Sequence, residues 1–446
     1  MSISENHTSQ PIDGEAPGRV YVETYGCSFN VSDGEVMAGL LKRDGFELVS
    51  TPDQADAVIV NSCTVKDRTW LDLKKRLAEL GRQTPAVVLA GCAPKVPHQA
   101  EHLKEWSQIG PNNIADIPSV VRSTLAGQNV RHTDVRHDEK RLEFPSVRRN
   151  PRIEILPISK GCLGACTFCQ TVIARGRLKS FPPEQILDRI RRAVDEGVTQ
   201  VWLTSQDCGA YGLDIGTNLA RLMQQIADMP GDFIVRVGMA NPDLINLYLD
   251  DFARILAHPR FYQFAHVPLQ AGSDTVLQDM KRMYTVDEFR RICETLRKYS
   301  PHVTIATDII VGFPTESDAD FQQTVDVLRE TAIPVVNRSR YSPRPGTPAA
   351  RLKLLPSAVV SARSKALYKA ACEIAFDDLD RWANWRGPVT VEEPLKSKGV
   401  VLARNFAYKP VILPVTDASH ALASVNRRER FHLAGSIVGS NAVAAG

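Results

Sequence analysis

Lys160-Gly161-Cys162-Leu163-Gly164-Ala165-Cys166-Thr167-Phe168-Cys169 carries three thiols in a CxxxCxxC spacing. Three thiolates so placed can hold three irons of a four-iron cluster and leave the fourth open to bind a substrate. Iron–sulfur thiolates normally come in fours, and here the next cysteine is the distant Cys208. A structural zinc site wants four ligands, typically as two close pairs. The run therefore predicts an open-iron cluster rather than zinc.

The residues around it alternate between strand-like and helical patterns. Glu154–Ser159 reads as a strand that delivers the chain directly into the cysteine loop. Helical Glu184–Glu196 stops at Gly197, and strand Gln200–Thr204 follows. Further strands are expected at Phe233–Gly238, Phe261–His266, Thr304–Gly312 and Ile333–Arg340, each separated by a helical stretch. Six β/α units suit a partial barrel, whose active site gathers at the carboxyl ends of the strands. The cysteine loop, Gln206, Asp207, Gln270 and Glu316 all fall at such ends.

A separate α/β series precedes this one. Arg19–Thr24, Ala57–Asn61 and Ala86–Ala90 read as strands, with Cys27, Cys63 and Cys92 just beyond them. Ser32 and Glu35 form a capping-box pattern before a helical stretch that stops at Gly45, and a second helical segment covers Thr69–Leu80. Alternation of this kind implies an open parallel sheet with covered faces, whose carboxyl edge is where ligands bind. Position alone leaves two readings for the three cysteines: a shared metal site, or three buried small hydrophobes.

With 446 residues, a formal net charge of +3 and 24% charged residues, the chain has the balance of a soluble protein of several domains. Its sequence pI of 8.3 is below that of a strongly basic nucleic-acid binder. No apolar run is long enough for a membrane span. Residues 1–18 read as a disordered tail rather than a signal peptide, and nine cysteines without a secretory signal point to reduced thiols in the cytoplasm. Residues 131–152, rich in arginine and broken by Pro145 and Pro151, read as a solvated linker. After Trp385 the pattern shifts to short alternating runs, as in a small antiparallel β-barrel. From Arg386 to Gly446 eight Lys or Arg face four Asp or Glu. Arg404, Phe406, Tyr408 and Lys409 have the make-up of an RNA-binding patch, with a plain structural cap as the alternative.

CxxxCxxC with Phe168 before the last cysteine resembles the signature of radical S-adenosylmethionine (SAM) enzymes. The resemblance implies that SAM chelates the open iron and that one electron cleaves it to a 5′-deoxyadenosyl radical. Tyr25-Gly26-Cys27-Ser28-Phe29-Asn30 with Asp33, then Asn61-Ser62-Cys63-Thr64-Val65 and Gly91-Cys92, resembles the amino-terminal domain of the methylthiotransferases. That likeness implies a second, auxiliary four-iron cluster on Cys27, Cys63 and Cys92. It also implies an amino-terminal domain over 19–130, a linker over 131–152, a radical SAM partial barrel over 153–382 and a TRAM-like RNA-binding β-barrel over 383–446.

One branch fits best. Trp202 to Gly212, Asp214 to Asn218, Ala306 to Pro314 and Tyr341 to Ala350 resemble the archaeal and eukaryotic threonylcarbamoyladenosine tRNA methylthiotransferases. The resemblance implies methylthiolation at carbon 2 of N6-threonylcarbamoyladenosine, just 3′ of the anticodon in the tRNA anticodon stem-loop. It also implies two SAM molecules per turnover, one to methylate sulfur and one to generate the radical, with two 4Fe–4S clusters, an electron donor and a sulfur source. Phe168, Gln206, Asp207, Gln270 and Phe313 are the expected SAM contacts. Arg175 and Arg177 suit either phosphate or a structural ion pair. Two other readings compete: a methylthiotransferase for isopentenyladenosine tRNA or a ribosomal protein, and a non-catalytic, metal-dependent RNA-binding protein.

Overall fold

The computed structural model describes residues 17–64, 67–82, 86–134, 140–383, 385–395 and 400–414. The expected tail lies almost wholly outside them. The first unit is a six-stranded, all-parallel sheet in the order β2-β1-β3-β4-β5-β6, formed by Arg19–Thr24 (β1), Glu47–Leu48 (β2), Ala57–Ser62 (β3), Ala86–Gly91 (β4), Ser107–Ile109 (β5) and Arg131–His132 (β6). Every residue of β3 and β4 is buried, as continuous apolar runs in a doubly covered sheet require.

The helix after β1 spans Ser28–Arg43 with Cys27 at its N-cap, and no side chain caps it. The expected capping box does not form. Ser32 and Glu35 lie a turn inside the helix and are buried, because tertiary packing has recruited both as interior residues. Glu35 accepts from the Arg149 backbone N–H at 2.9 Å. Burial, with Glu154 near, still pushes its carboxyl up to about 7, from 4.5 in an open chain. The folded chain thus holds this proton more tightly than the unfolded one. The stability so gained is complete below about pH 4.5 and lost as pH rises through about 7. Glu35→Gln is expected to raise stability at pH 8 by up to ~3 kcal/mol and to add little at pH 4. Thermal unfolding at the two pH values checks this.

The expected solvated linker is instead packed. Arg141 is buried and pairs with Asp33 at 2.7 Å. Arg148 pairs with both Glu154 and Glu196. The Val147 N–H donates to the Glu35 carbonyl, and a methyl on Gly39 would sit 2.2 Å from the Pro145 carbonyl oxygen. These arginines are charge-compensated inside the protein rather than hydrated. Residues 135–139 fall outside the described set.

The second unit begins with Ile153–Pro157 (β7). Ser159–Lys160 (β8) and Lys179–Ser180 (β9) then pair antiparallel. Gln200–Thr204 (β10), Ile234–Val237 (β11), Phe264–His266 (β12), Thr304–Val311 (β13) and Val335–Arg340 (β14) follow. They form two parallel three-stranded sheets, β11-β10-β7 and β12-β13-β14, joined by a parallel bridge between Val235 and Phe261. Most of the core lies between these strands and their helices, from Leu156 to Ile374.

Thr390–Leu395 (β15), Val400–Arg404 (β16) and Pro410–Pro414 (β17) make an antiparallel meander. It docks where β11 to β14 begin. Tyr408 is partly buried and packs against Ile234, Tyr262, Phe264 and Ala306, its ring 4.8 Å from that of Tyr262. Lys409 is buried in an ion pair with Asp378, and Arg404 pairs with Glu392 at 3.0 Å. Of the expected RNA-binding residues, Lys409 is thus enclosed against the helix Ser357–Asp380, Arg404 pairs within its own sheet, and Tyr408 packs on the strands beneath, the last two partly exposed. Phe406 is half-buried among Trp382, Trp385 and His302.

Candidate active site

The cysteine loop is a closed excursion from the end of β7. Pairing of β8 with β9 cinches its base, and the Cys162 N–H donates to the Gly176 carbonyl at 3.2 Å. Gly161 has φ +75°, and a Cβ there would lie 2.0 Å from the Arg177 carbonyl oxygen, so only glycine closes the loop. Gln206 Oε1, arriving from the end of β10, accepts from the Gly161 N–H at 2.7 Å. Within the loop each sulfur accepts an N–H. Gly164 donates to Cys162 at 3.2 Å, Arg282 to Cys166 at 3.2 Å and Thr171 to Cys169 at 3.4 Å.

The three other cysteines meet at the carboxyl edge of the first sheet. Register pairs Thr24 with Asn61 and Ser62 with Gly91, so Cys63 and Cys92 leave neighbouring strands side by side. Gly26, at φ +114°, lets the loop bearing Cys27 pass over Cys63: a Cβ there would lie 2.7 Å from the Cys63 Cβ. Asn30 is the common neighbour. Its Oδ1 lies 3.5 Å from Cys27 Sγ and 4.0 Å from Cys92 Sγ, while its Nδ2 donates to the Tyr25 and Ser62 carbonyls. The three scattered thiols are thus brought to one edge of the sheet, around Asn30 and Gly26.

The two thiol sets adjoin. The short helix Thr171–Arg175 leaves the loop at Cys169 and packs Ala174 on Cys92 and Val96. Thr64 Oγ1 donates to Gln170 Oε1 at 3.1 Å. Arg175 reaches across to donate to Cys92 Sγ at 3.3 Å, Asn30 Oδ1 at 2.9 Å and Asp33 Oδ2 at 2.8 Å. Of the two roles open to Arg175, the structural ion pair holds. Arg177 stays exposed, near the Leu163 carbonyl.

Do these residues suit iron–sulfur clusters? Among the described residues no three His, Cys, Asp or Glu side chains converge on the space of one metal ion. The loop of Cys162 and Cys166 leaves room beside its sulfurs at Gly164. A methyl on Gly164 would stand 3.3 Å from Cys162 Sγ and 3.6 Å from Cys166 Sγ, filling the hollow between the thiols. Burial pushes the Cys162 and Cys92 thiols up to about 12. They are therefore stored protonated and would release protons on taking up metal.

Two of the expected SAM contacts are buried. Asp207 is fully buried, and its oxygens accept from the Gly209 N–H at 2.9 Å, the Asn241 N–H at 3.0 Å and Asn241 Nδ2 at 2.6 Å; it ties two loops together. Phe313 is wholly buried, edge-on to Tyr341, and belongs to the core. Phe168 is partly buried against that core. Gln270 stands in the left-handed region at φ 66°, its N–H bonded to the Asp308 carbonyl. Glu316 is bound by Arg363 and the Gly312 N–H. Cys208 and Cys293 are core thiols, whereas Cys372 is only half-buried. Arg282 was missed in the sequence, since nothing local marks it as a partner of a cysteine 116 residues away.

The chain matches the radical SAM superfamily over residues 156–328 and Uncharacterized protein family UPF0004 over residues 19–109. It is 39% identical to the threonylcarbamoyladenosine tRNA methylthiotransferase of Homo sapiens over 93% of this chain and 73% of that protein. It is 38% identical to the probable threonylcarbamoyladenosine tRNA methylthiotransferase of Pyrococcus abyssi, over 94% of this chain and 99% of that one. Among solved structures it resembles the radical SAM methyltransferase TsrM of Kitasatospora setae, with a TM-score of 0.56, 15% identity and 74% of each chain covered. It also resembles the cobalamin-dependent SAM radical enzyme OxsB, with a TM-score of 0.51, 11% identity, and 91% of this chain and 65% of that one covered. At such identities the structural likenesses speak for the fold. No helix among the described residues is long and apolar enough to cross a membrane.

Proposed function

The chain belongs to the threonylcarbamoyladenosine tRNA methylthiotransferase family of radical SAM enzymes, and we propose that it methylthiolates carbon 2 of N6-threonylcarbamoyladenosine beside the anticodon of tRNA. The observation that carries this reading is the meeting of two three-thiol sites at the ends of two parallel sheets, bridged by Arg175. When bound, two 4Fe–4S clusters and SAM supply the one-electron chemistry and the sulfur delivery.

The chain's own residues hold and orient these groups. Cys162, Cys166 and Cys169 would take the SAM-binding cluster, and Cys27, Cys63 and Cys92 the auxiliary one. Gly164 leaves room between the first set of sulfurs, and Gln206 fixes the loop by its bond to Gly161. Phe168, Gln206 and Gln270 are our candidates for SAM contacts. Asp207 acts behind them by tying the Gly209 and Asn241 loops together.

The strands β7 to β14 are assigned to a partial barrel within 153–382, after an amino-terminal domain over 19–130 and the connecting segment 131–152. The sheet within 383–446 is assigned to a TRAM-like barrel that meets RNA on a face other than the buried side chain of Lys409. An exposed loop base is what such an enzyme can read by stacking and edge contacts, and Arg177 at the loop rim suits phosphate. An electron donor and a sulfur source complete the reaction. Nine cysteines in a chain without a secretory signal favour a reducing, cytoplasmic setting.

Nucleoside mass spectrometry of tRNA from cells with and without the gene tests the substrate. Loss of 2-methylthio-N6-threonylcarbamoyladenosine, with its unmodified parent accumulating, is the expected result. Loss of a methylthiolated isopentenyladenosine in its place would transfer the enzyme to another branch.

A further inference from the structure

Two arginines, Arg175 buried and Arg282 partly buried, each donate an N–H to one cysteine of a different thiol set. Arg175 Nε lies 3.3 Å from Cys92 Sγ and Arg282 Nη1 lies 3.2 Å from Cys166 Sγ. Neither guanidinium is loose. Arg175 is held by Asp33 and Asn30 and lies over the Phe29 ring at 4.3 Å. Arg282 is held by Asn241 Oδ1 and, at 3.3 Å, by the Tyr284 hydroxyl. An anchored fork keeps one N–H aimed at sulfur at no further entropic cost.

Resting on the two-cluster reading above, we propose that Arg175 and Arg282 are positioning residues that set the reduction potentials of the two clusters separately, one guanidinium to each. Reduction adds one negative charge to a cluster. A buried cation with an N–H···S bond stabilises that reduced form more than the oxidised one and raises the potential. The surroundings differ in a telling way. Arg175 shares Asp33 with Arg141, so a carboxylate offsets part of the charge facing the auxiliary cluster. The hydrogen-bond acceptors of Arg282, apart from sulfur, are the neutral Asn241 and Tyr284. The cluster that must pass its electron to SAM thus faces a cation with no directly bonded carboxylate, though Asp207 and Asp243 lie near it, while the auxiliary cluster's cation has a directly bonded carboxylate that it shares with Arg141.

The experiment is an EPR-monitored redox titration of anaerobically reconstituted full-length protein. Cys63→Ala isolates the SAM-binding cluster and Cys162→Ala the auxiliary one. Iron and sulfide analysis comes first: wild-type protein that binds neither would refute the cluster reading itself, separately from this proposal. In the Cys162→Ala background, Arg175→Met is expected to lower the auxiliary potential by an amount equal to about a tenfold change in the reduced-to-oxidised ratio, roughly 59 mV. Asp33→Asn should move it the opposite way. In the Cys63→Ala background, Arg282→Met should lower the remaining potential while Arg175→Met leaves it in place. The Lys variants, gentler to the fold, should shift the same way by less. Unchanged potentials on intact clusters, equal shifts of both clusters by one substitution, or loss of cluster iron from the Lys and Asn variants alike would overturn the proposal in favour of purely structural arginines.

Discussion

Cys162→Ala is expected to abolish reductive cleavage of SAM and to halve the iron bound, while the fold survives. The reason lies in where the sulfur sits. Cys162 is half-buried in a loop whose shape is fixed by backbone pairing of β8 with β9, by Gly161 and by Gln206, none of which uses the thiol. Its removal costs one hydrogen bond, from the Gly164 N–H, and leaves two thiolates where a four-iron cluster already lacks its fourth. Cys208→Ala is the matching control. That thiol is completely buried in the core, 3.9 Å from the Leu203 carbonyl oxygen, so its loss should cost stability, about 1 kcal/mol or more, and spare SAM cleavage. Formation of 5′-deoxyadenosine under a chemical reductant, read beside thermal unfolding, separates the two variants. Undiminished cleavage by Cys162→Ala would remove the loop from the chemistry.

Both thiol sets were legible in the sequence because strand period and cysteine position are local facts. A buried β run ends, and a cysteine follows within three residues. Once β1, β3 and β4 pair in parallel, their register must bring Cys27, Cys63 and Cys92 to one edge. What failed depended on distant partners. Arg141 and Arg148 looked solvated because Asp33 and Glu196 stand far from them in the chain. The packing of Tyr408 and Lys409 was hidden because their partners Tyr262 and Asp378 belong to the preceding unit. Ser32 and Glu35 imitate a helix start, a signal that holds only while both side chains remain at the surface. The arginines behind the sulfurs were hidden for the same reason: an N–H···S bond across 83 or 116 residues leaves no local period.

Cys63→Ala should uncouple the two halves of the reaction: SAM is still cleaved, and no methylthio nucleoside forms. The substitution is conservative in shape, because the Cβ that packs under Gly26 remains and the strand register of Ser62 with Gly91 does not involve the sulfur. The links of the cysteine loop to the first site through Arg175 with Cys92 and Thr64 with Gln170 do not use the Cys63 sulfur. Arg175 also keeps Asp33 as its counter-charge, so the empty site holds no newly unpaired cation. With two thiolates left, the auxiliary set cannot grip a cluster, and sulfur has no place from which to be delivered. The expected signature is therefore 5′-deoxyadenosine without methylthio product, and half the wild-type iron. Repeated turnovers of methylthiolated tRNA by Cys63→Ala would mean that sulfur reaches the adenine without the first sheet's thiols, and the second site would then need another purpose.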